Sequence, residues 1–176
     1  PLIVMSPKSL LRNPRVASEV NLFAEGSFTP VLEQKGLGEN PEEVERLILC
    51  SGKVAVDLEA ELESYEDAKE WLHIVRVEQL YPFPKHELKE IMNRYVNLKE
   101  IVWVQEEPKN MGSWMYIEPK LRAIAPEGVP VQYIGRPERS SPSEGSSDIH
   151  NIEQNRILTE SLTMKKAKIR TGDGSK

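Results

Sequence analysis

Five short, nearly unbroken apolar runs constrain this chain more than any other feature. They are residues 2–5 (LIVM), 46–50 (RLILC), 72–77 (LHIVRV), 100–104 (EIVWV) and 129–134 (VPVQYI). A strand with one wet face alternates apolar and polar residues. A run that is apolar at consecutive positions must be covered on both sides, as in a parallel sheet between layers of helices. Helical periodicity fills the intervals. Residues 54–64 carry Val54, Leu58 and Leu62 on one stripe, and residues 85–95 carry Leu88, Ile91, Met92 and Tyr95. Residues 113–124 carry Trp114, Ile117, Leu121 and Ile124, with Pro119 expected to disturb the middle. Residues 148–162, with Ser147 or Asp148 as cap, are expected to turn Ile149, Ile152 and Leu162 inward. Strands alternating with crossovers of this length predict an α/β fold of three layers: a mostly parallel five-stranded sheet with helices on both faces.

One domain is expected over residues 1–164, with an irregular stretch over 8–45 in which Gly36, Gly38 and Pro41 mark a loop. Residues 165–176, basic and then Gly/Ser-rich, read as a disordered tail. The abrupt opening on strand-like residues, without an initiator Met, suggests a piece of a longer polypeptide.

Composition excludes several classes. Charged residues of both signs make up 29% and the net charge is −5, which argues against a dedicated nucleic-acid binder. No apolar run is long enough to span a bilayer, so no membrane partner is expected. Cys50, the single cysteine, lies inside an apolar run and reads as a buried, inert thiol. His73, His86 and His150 have no second ligand at metal-binding spacing, so no metal site is expected. No nucleophile elbow or Ser/His/Asp order stands out, so no catalytic residues are expected in this stretch.

In an open parallel sheet, ligands meet the carboxyl ends of the strands. Here every such end is polar: Ser6-Pro7-Lys8-Ser9, Ser51-Gly52-Lys53, Arg76-Val77-Glu78-Gln79, Gln105-Glu106-Glu107-Pro108-Lys109-Asn110 and Gly135-Arg136. Lys53 opens a helix after a glycine, either as an anion site or as a plain strand-to-helix turn. Arg76, a charge in an apolar strand, requires a partner, with Glu78 or Glu106 in reach, or an anion. Glu106 and Glu107 are adjacent on a strand and so point to opposite sides, which disfavours a shared acid/base role. Arg136 and Arg139 flank a proline in a loop, where exposure is the default.

Taken together, LIVMSPKSLLR (2–12), ILCSGKV (48–54), IVRVEQLYPFP (74–84), VWVQEEPKNMGSW (102–114) and GRPERSSPSEGSSDIHNIEQ (135–154) resemble a known family. They are similar, over nearly all of 1–164, to the C-terminal end of the thiamine-diphosphate-dependent first component of 2-oxoglutarate dehydrogenase. EQLYPFP followed by QEEP-x-N-x-G-x-W is the specific part. The resemblance implies a third transketolase-type domain of an enzyme that decarboxylates 2-oxoglutarate and passes the succinyl group to a lipoyl group on a succinyltransferase component. Thiamine diphosphate and Mg²⁺ would be held by preceding domains of the same chain, with no cofactor in this stretch.

It implies a supporting role, at a domain and homodimer interface built from Glu106, Glu107, Asn110, Gly112 and Trp114. Some relatives bind acetyl-CoA or AMP nearby, and Lys8, Lys53, Arg76 and Gln79 are the residues that would meet such an anion. The implied location is the bacterial cytoplasm or the mitochondrial matrix. A stand-alone nucleotide- or anion-binding module and the matching domain of another 2-oxoacid decarboxylase are the alternatives.

Overall fold

The run RLILC is buried at every position, and it forms the middle strand of the sheet. The computed structural model describes residues 1, 3–65 and 69–164. In chain order the elements are α1 (Val20–Glu25), β1 (Val31–Glu33), β2 (Arg46–Cys50), α2 (Lys53–Leu62), β3 (Leu72–Val77), α3 (Lys85–Asn93), β4 (Glu100–Pro108), α4 (Trp114–Arg122), β5 (Val131–Arg136) and α5 (Ser147–Leu162). One-turn 3-10 helices at Lys8–Leu10 and Pro14–Val16 precede them. The sheet order is β1-β3-β2-β4-β5; β1 pairs antiparallel with β3, and the other neighbours are parallel.

Alternation along the strands splits the core into two layers. Leu47, Leu49, Val75, Val77, Ile101 and Trp103 face α3 and α4, where they meet Leu88, Met92, Trp114, Ile117 and Leu121. Ile48, Cys50, Ile74, Val102 and Val104 face α2 and α5, where they meet Val54, Leu58, Ile157 and Leu162. Each fully buried side chain of this size contributes about 1.5–3 kcal/mol, so the two layers supply most of the driving force. Cys50 is fully buried and desolvation pushes its thiol up to about 12, so it is an apolar core residue with no nucleophilic role.

Two expectations fail. Residues 3–5 are not a strand, and Leu2 lies outside the described residues. The fifth strand is instead Val31–Glu33, and it runs antiparallel at the edge. Its three residues are too few to show a burial pattern in sequence. Likewise Ile149 and Ile152 are exposed, while α5 turns Gln154, Ile157, Leu158, Ser161 and Leu162 inward. The α4 helix continues through Pro119. The carbonyl that loses its helical donor belongs to Met115, an exposed residue. The expected tail at 165–176 lies outside the described residues.

Two polar anchors fasten the periphery. Arg46 donates to Glu100 Oε1 at 2.7 Å and to the carbonyls of Glu160, Ser161 and Thr163 at 2.8–3.0 Å, so it caps the carboxyl end of α5. At the opposite sheet edge, Glu33 Oε2 lies 2.9 Å from His73 Nε2 and also receives the Arg94 guanidinium, which pins β1 to β3 and α3.

Burial pushes the His73 pKa down, against the upward pull of Glu33. A histidine whose folded pKa lies below its ordinary value near 6.5 binds fewer protons folded than unfolded, so stability falls as pH drops through that value. Between about pH 7 and 5 the urea midpoint should fall in the native chain and fall less in His73→Gln. An equally steep fall in the variant would assign the dependence to another group.

Candidate functional site

The chain runs from β2 to β3 in one direction across the sheet, then returns to place β4 and β5 on the other side of β2. The gap between the carboxyl ends of β2 and β4 is thus the topological switch point, where open α/β sheets bind ligands. β4 does not simply end there. Its register with β5 shifts between Val104 and Pro108, with four steps on β4 against two on β5. The resulting bulge redirects the side chains of Gln105, Glu106 and Glu107.

Gln105 is buried on the core side and organises the turn that follows. Its Oε1 accepts from Trp103 Nε1 and from the Trp114 backbone N–H, both at 3.0 Å. Its Nε2 donates to the carbonyls of Met111 at 2.8 Å, Pro108 at 3.1 Å and Glu107 at 3.3 Å. One carboxamide therefore ties the strand, the turn and the first residue of α4. Gly112 sits over it with φ +63°, and a Cβ there would lie 3.0 Å from Gln105 Nε2. Trp114 is buried and packs on the Tyr133 ring at 5.2 Å. The Tyr133 hydroxyl lies 2.8 Å from Arg136 O and 3.0 Å from Glu107 O, and burial pushes its pKa up to about 12.

On the other face, Glu106 closes the switch point. Its Oε1 accepts from Gln154 Nε2 at 3.0 Å and Lys53 Nζ at 3.3 Å. Lys53 also pairs with Asp57, which accepts from Gln154 Nε2 at 2.9 Å. Gln154 Oε1 lies 3.4 Å from both terminal nitrogens of Arg136. Arg136, only 3% exposed, also donates to Glu106 O at 2.5 Å and Glu144 Oε1 at 2.6 Å, and meets His150 Nδ1 at 3.2 Å. Arg139 completes the group by pairing with Glu144. Burial tends to raise the Glu144 pKa, and the two arginines more than offset it, leaving this carboxyl below the ordinary range. Burial likewise opposes the charge on Lys53, and Asp57 and Glu106 restore it. Lys53, Arg136 and Arg139 face Asp57, Glu106 and Glu144, so the charges balance.

Of the residues expected at an interface, Glu107 and Asn110 are exposed. Glu106 faces the network, Trp114 the domain's own core, and Gly112 the Gln105 amide. Asn110 is clamped to Arg139: its Nδ2 donates to the Arg139 carbonyl at 2.9 Å and its Oδ1 accepts the Arg139 N–H at 3.1 Å. The three cations of the expected anion site, Lys8, Lys53 and Arg76, and its amide, Gln79, are engaged separately. Lys8 lies in a 3-10 helix rather than at a strand end, because the strand before it does not form. Lys53 is paired as described. Arg76 Nε lies 2.5 Å from Glu78 Oε1, as anticipated for a charge in an apolar strand. Gln79 donates to Pro82 O at 2.8 Å.

Arg136, expected in solvent, is the most embedded member of the network. Gln154 and Asp57 were not anticipated, and Gln105 was expected only as one of the polar residues at a strand end. Gln105 shares the inward parity of Ile101 and Trp103, and Gln154 shares the stripe of Ile157, Leu158 and Ser161. A polar residue on an apolar stripe is the signal for each.

Among the described residues no group of three or more His, Cys, Asp or Glu is placed to hold a metal, and no helix is long and apolar enough to cross a membrane. The geometry makes Gln105 the costliest loss at this edge. Gln105→Leu leaves two donors and three carbonyls without this partner, and should destabilise the domain by about 3 kcal/mol in urea unfolding. Gly112→Ala should cost about 1–2 kcal/mol through its positive φ. Values within about 0.5 kcal/mol of wild type would remove Gln105 from this role.

Comparison with known proteins gives the family. A solved structure titled "Split gene transketolase, inactive beta4 tetramer" superposes with a TM-score of 0.48 at 18% identity, covering 79% of this chain and 44% of that one. The protein named "2-oxoglutarate dehydrogenase E1 component" of Geobacillus sp. (strain WCH70) is 61% identical over 165 residues, 94% of this chain and 17% of that protein. The protein of the same name from Bacillus subtilis (strain 168) is 59% identical over 165 residues, 94% of this chain and 18% of its own length. The chain thus spans about a sixth of the length of these curated relatives. A family model described as 2-oxoglutarate dehydrogenase C-terminal matches residues 17–162. On that match the chain belongs to the 2-oxoglutarate dehydrogenase C-terminal domain family.

Proposed function

We propose that this chain serves as the C-terminal support domain of a thiamine-diphosphate-dependent 2-oxoglutarate dehydrogenase first component. The observation that carries the reading is the filled switch point. Where an open α/β sheet ordinarily admits a ligand, Gln154 and a charge-balanced set of ion pairs occupy the gap. The described residues do not fit thiamine diphosphate or Mg²⁺. The cations at the switch point are already neutralised, and no acidic cluster is arranged as ligands. In this reading cofactor and metal belong to other parts of a longer protein, and this domain's own groups bind no substrate.

What the domain offers instead is a rigid rim. Tyr81 follows β3, Met115 opens α4, and Ile149 and Ile152 lie in the first half of α5, all exposed at the carboxyl side of the sheet. Apolar side chains around a polar, internally satisfied edge suit packing against neighbouring domains and a second subunit. The lipoyl-bearing succinyltransferase would then meet the assembled enzyme. A stand-alone anion module fits less well, because Lys53 and Arg76 would first have to leave their carboxylates. A soluble enzyme of the bacterial cytoplasm agrees with the organisms of the two relatives described above.

The test is turnover of 2-oxoglutarate with thiamine diphosphate, Mg²⁺ and an artificial electron acceptor. The 176-residue chain should give none, and the longest polypeptide encoded by its reading frame should be active. In that polypeptide Tyr81→Asp with Met115→Asp should lower activity at least about tenfold and loosen the dimer, an interface loss of about 1.4 kcal/mol or more. Turnover by the 176-residue chain, or an unaffected double variant, would overturn the supporting role.

A further inference from the structure

The sheet has two outer strands of unequal length. β1 ends one side with three residues, whereas β5 presents six at the other. In a parallel ladder the N–H and C=O of one residue point to the same side of the strand, and successive residues alternate. Ile101 N–H donates to Pro130 O and Lys109 N–H to Arg136 O, both at 3.0 Å, so residues 130, 132, 134 and 136 face β4. Val131, Tyr133 and Gly135 therefore direct their main-chain groups away from the sheet. Pro130 and Pro137 bound this outward row. Such an edge is a template on which another chain can add a strand.

Two arginines already occupy it. Arg122 of α4 donates from Nη2 to Val131 O at 3.1 Å, and Arg156 of α5 donates from Nη2 to Gly135 O at 2.9 Å. α4 and α5 cover opposite faces of the sheet, so the two guanidiniums reach round from opposite sides to one edge. Carboxylates of the same helices hold them there. Glu118 accepts from Arg122 Nε at 2.9 Å, and Glu153 and Glu160 each lie 3.0 Å from a terminal nitrogen of Arg156. Exposed ion pairs contribute only about 0–1 kcal/mol each, so their chief effect is to fix a donor over each outward carbonyl.

The spacing of the capped carbonyls identifies the partner they refuse. Two copies of β5 set antiparallel about Tyr133 would pair Tyr133 with its counterpart, and Val131 with Gly135 of the other copy. Each such couple exchanges both of its N–H···O bonds. The pairing is self-complementary, and it needs the Val131 and Gly135 carbonyls as acceptors. Those are the two carbonyls that the arginines hold. We infer that Arg122 and Arg156 are edge guards, which keep β5 from pairing with β5 of a second copy of this chain. With both arginines in place, a second copy can form the Tyr133 couple alone. The guard is a property of this domain's own sheet and does not depend on the supporting role proposed above.

The experiment compares the longest polypeptide encoded by the reading frame with its Arg122→Ala/Arg156→Ala variant, by sedimentation velocity and by amide hydrogen exchange resolved to single residues. In the native protein the Tyr133 amide, which points away from β4, should exchange within about tenfold of its intrinsic rate. Over about 1–100 μM the double variant should form species of twice the native mass or larger, and in them the Tyr133 amide should slow at least about 100-fold. Each single variant should associate less than the double. Should the double variant fail to fold, the single variants, which lose one cap each, carry the same prediction. A native Tyr133 amide that is already protected would mean that another element covers the edge. Folded variants that stay at the native mass, or that associate while the Tyr133 amide still exchanges freely, would place any association elsewhere. Each of these results overturns the guard.

Discussion

β4 carries Trp103 out of a dry core and hands the chain to α4 within a few residues, so its polar groups must be satisfied where water is excluded. The Gln105 carboxamide meets that demand, with its oxygen serving the two tryptophans and its nitrogen the turn carbonyls. A neutral group suits the position. A carboxylate would accept from the tryptophans but offer nothing to the carbonyls, and a lysine would do the reverse. The bulge in β4, the positive φ of Gly112 and the absence of a side chain at Gly135, where a Cβ would lie 2.8 Å from Gln105 O, are the geometric conditions for this one residue.

The second consequence appears on the opposite face. Glu106 and Arg136 enter the same region from β4 and β5, and α5 brings Gln154 between them. Buried charges of this kind are costly when unmatched and near neutral when fully paired. The cluster matches cations to carboxylates and leaves no charge for a visiting ligand. A domain whose topology offers a binding crevice has therefore spent that crevice on holding its own layers in register.

Much of this was legible in the residues. Four of the apolar runs became strands close to their expected bounds, and the stripes of α3 and α4 are buried as their spacing implies. The run at 2–5 misled because periodicity reports that a segment needs cover without saying which unit supplies it. β1 escaped notice because three residues carry no period. Ile149 and Ile152 look inward by composition, whereas the inward stripe of α5 begins at Gln154, a polar residue whose partners Asp57 and Glu106 are distant in sequence. Arg136 was misjudged for the same reason: its carboxylate lies eight residues further on, and its other partners come from β4 and α5.

The placement of α5 also bears on how the chain is made. Arg46 on the central strand waits for the carbonyls of Glu160, Ser161 and Thr163, and the layer containing Ile48, Val102 and Val104 waits for Ile157 and Leu162. A ribosome therefore releases four parallel strands before the segment that completes, beside α2, the cover of one side of them. Until α5 emerges, the nascent sheet has part of that apolar flank open to solvent, and keeping such a flank from aggregating is work for a chaperone.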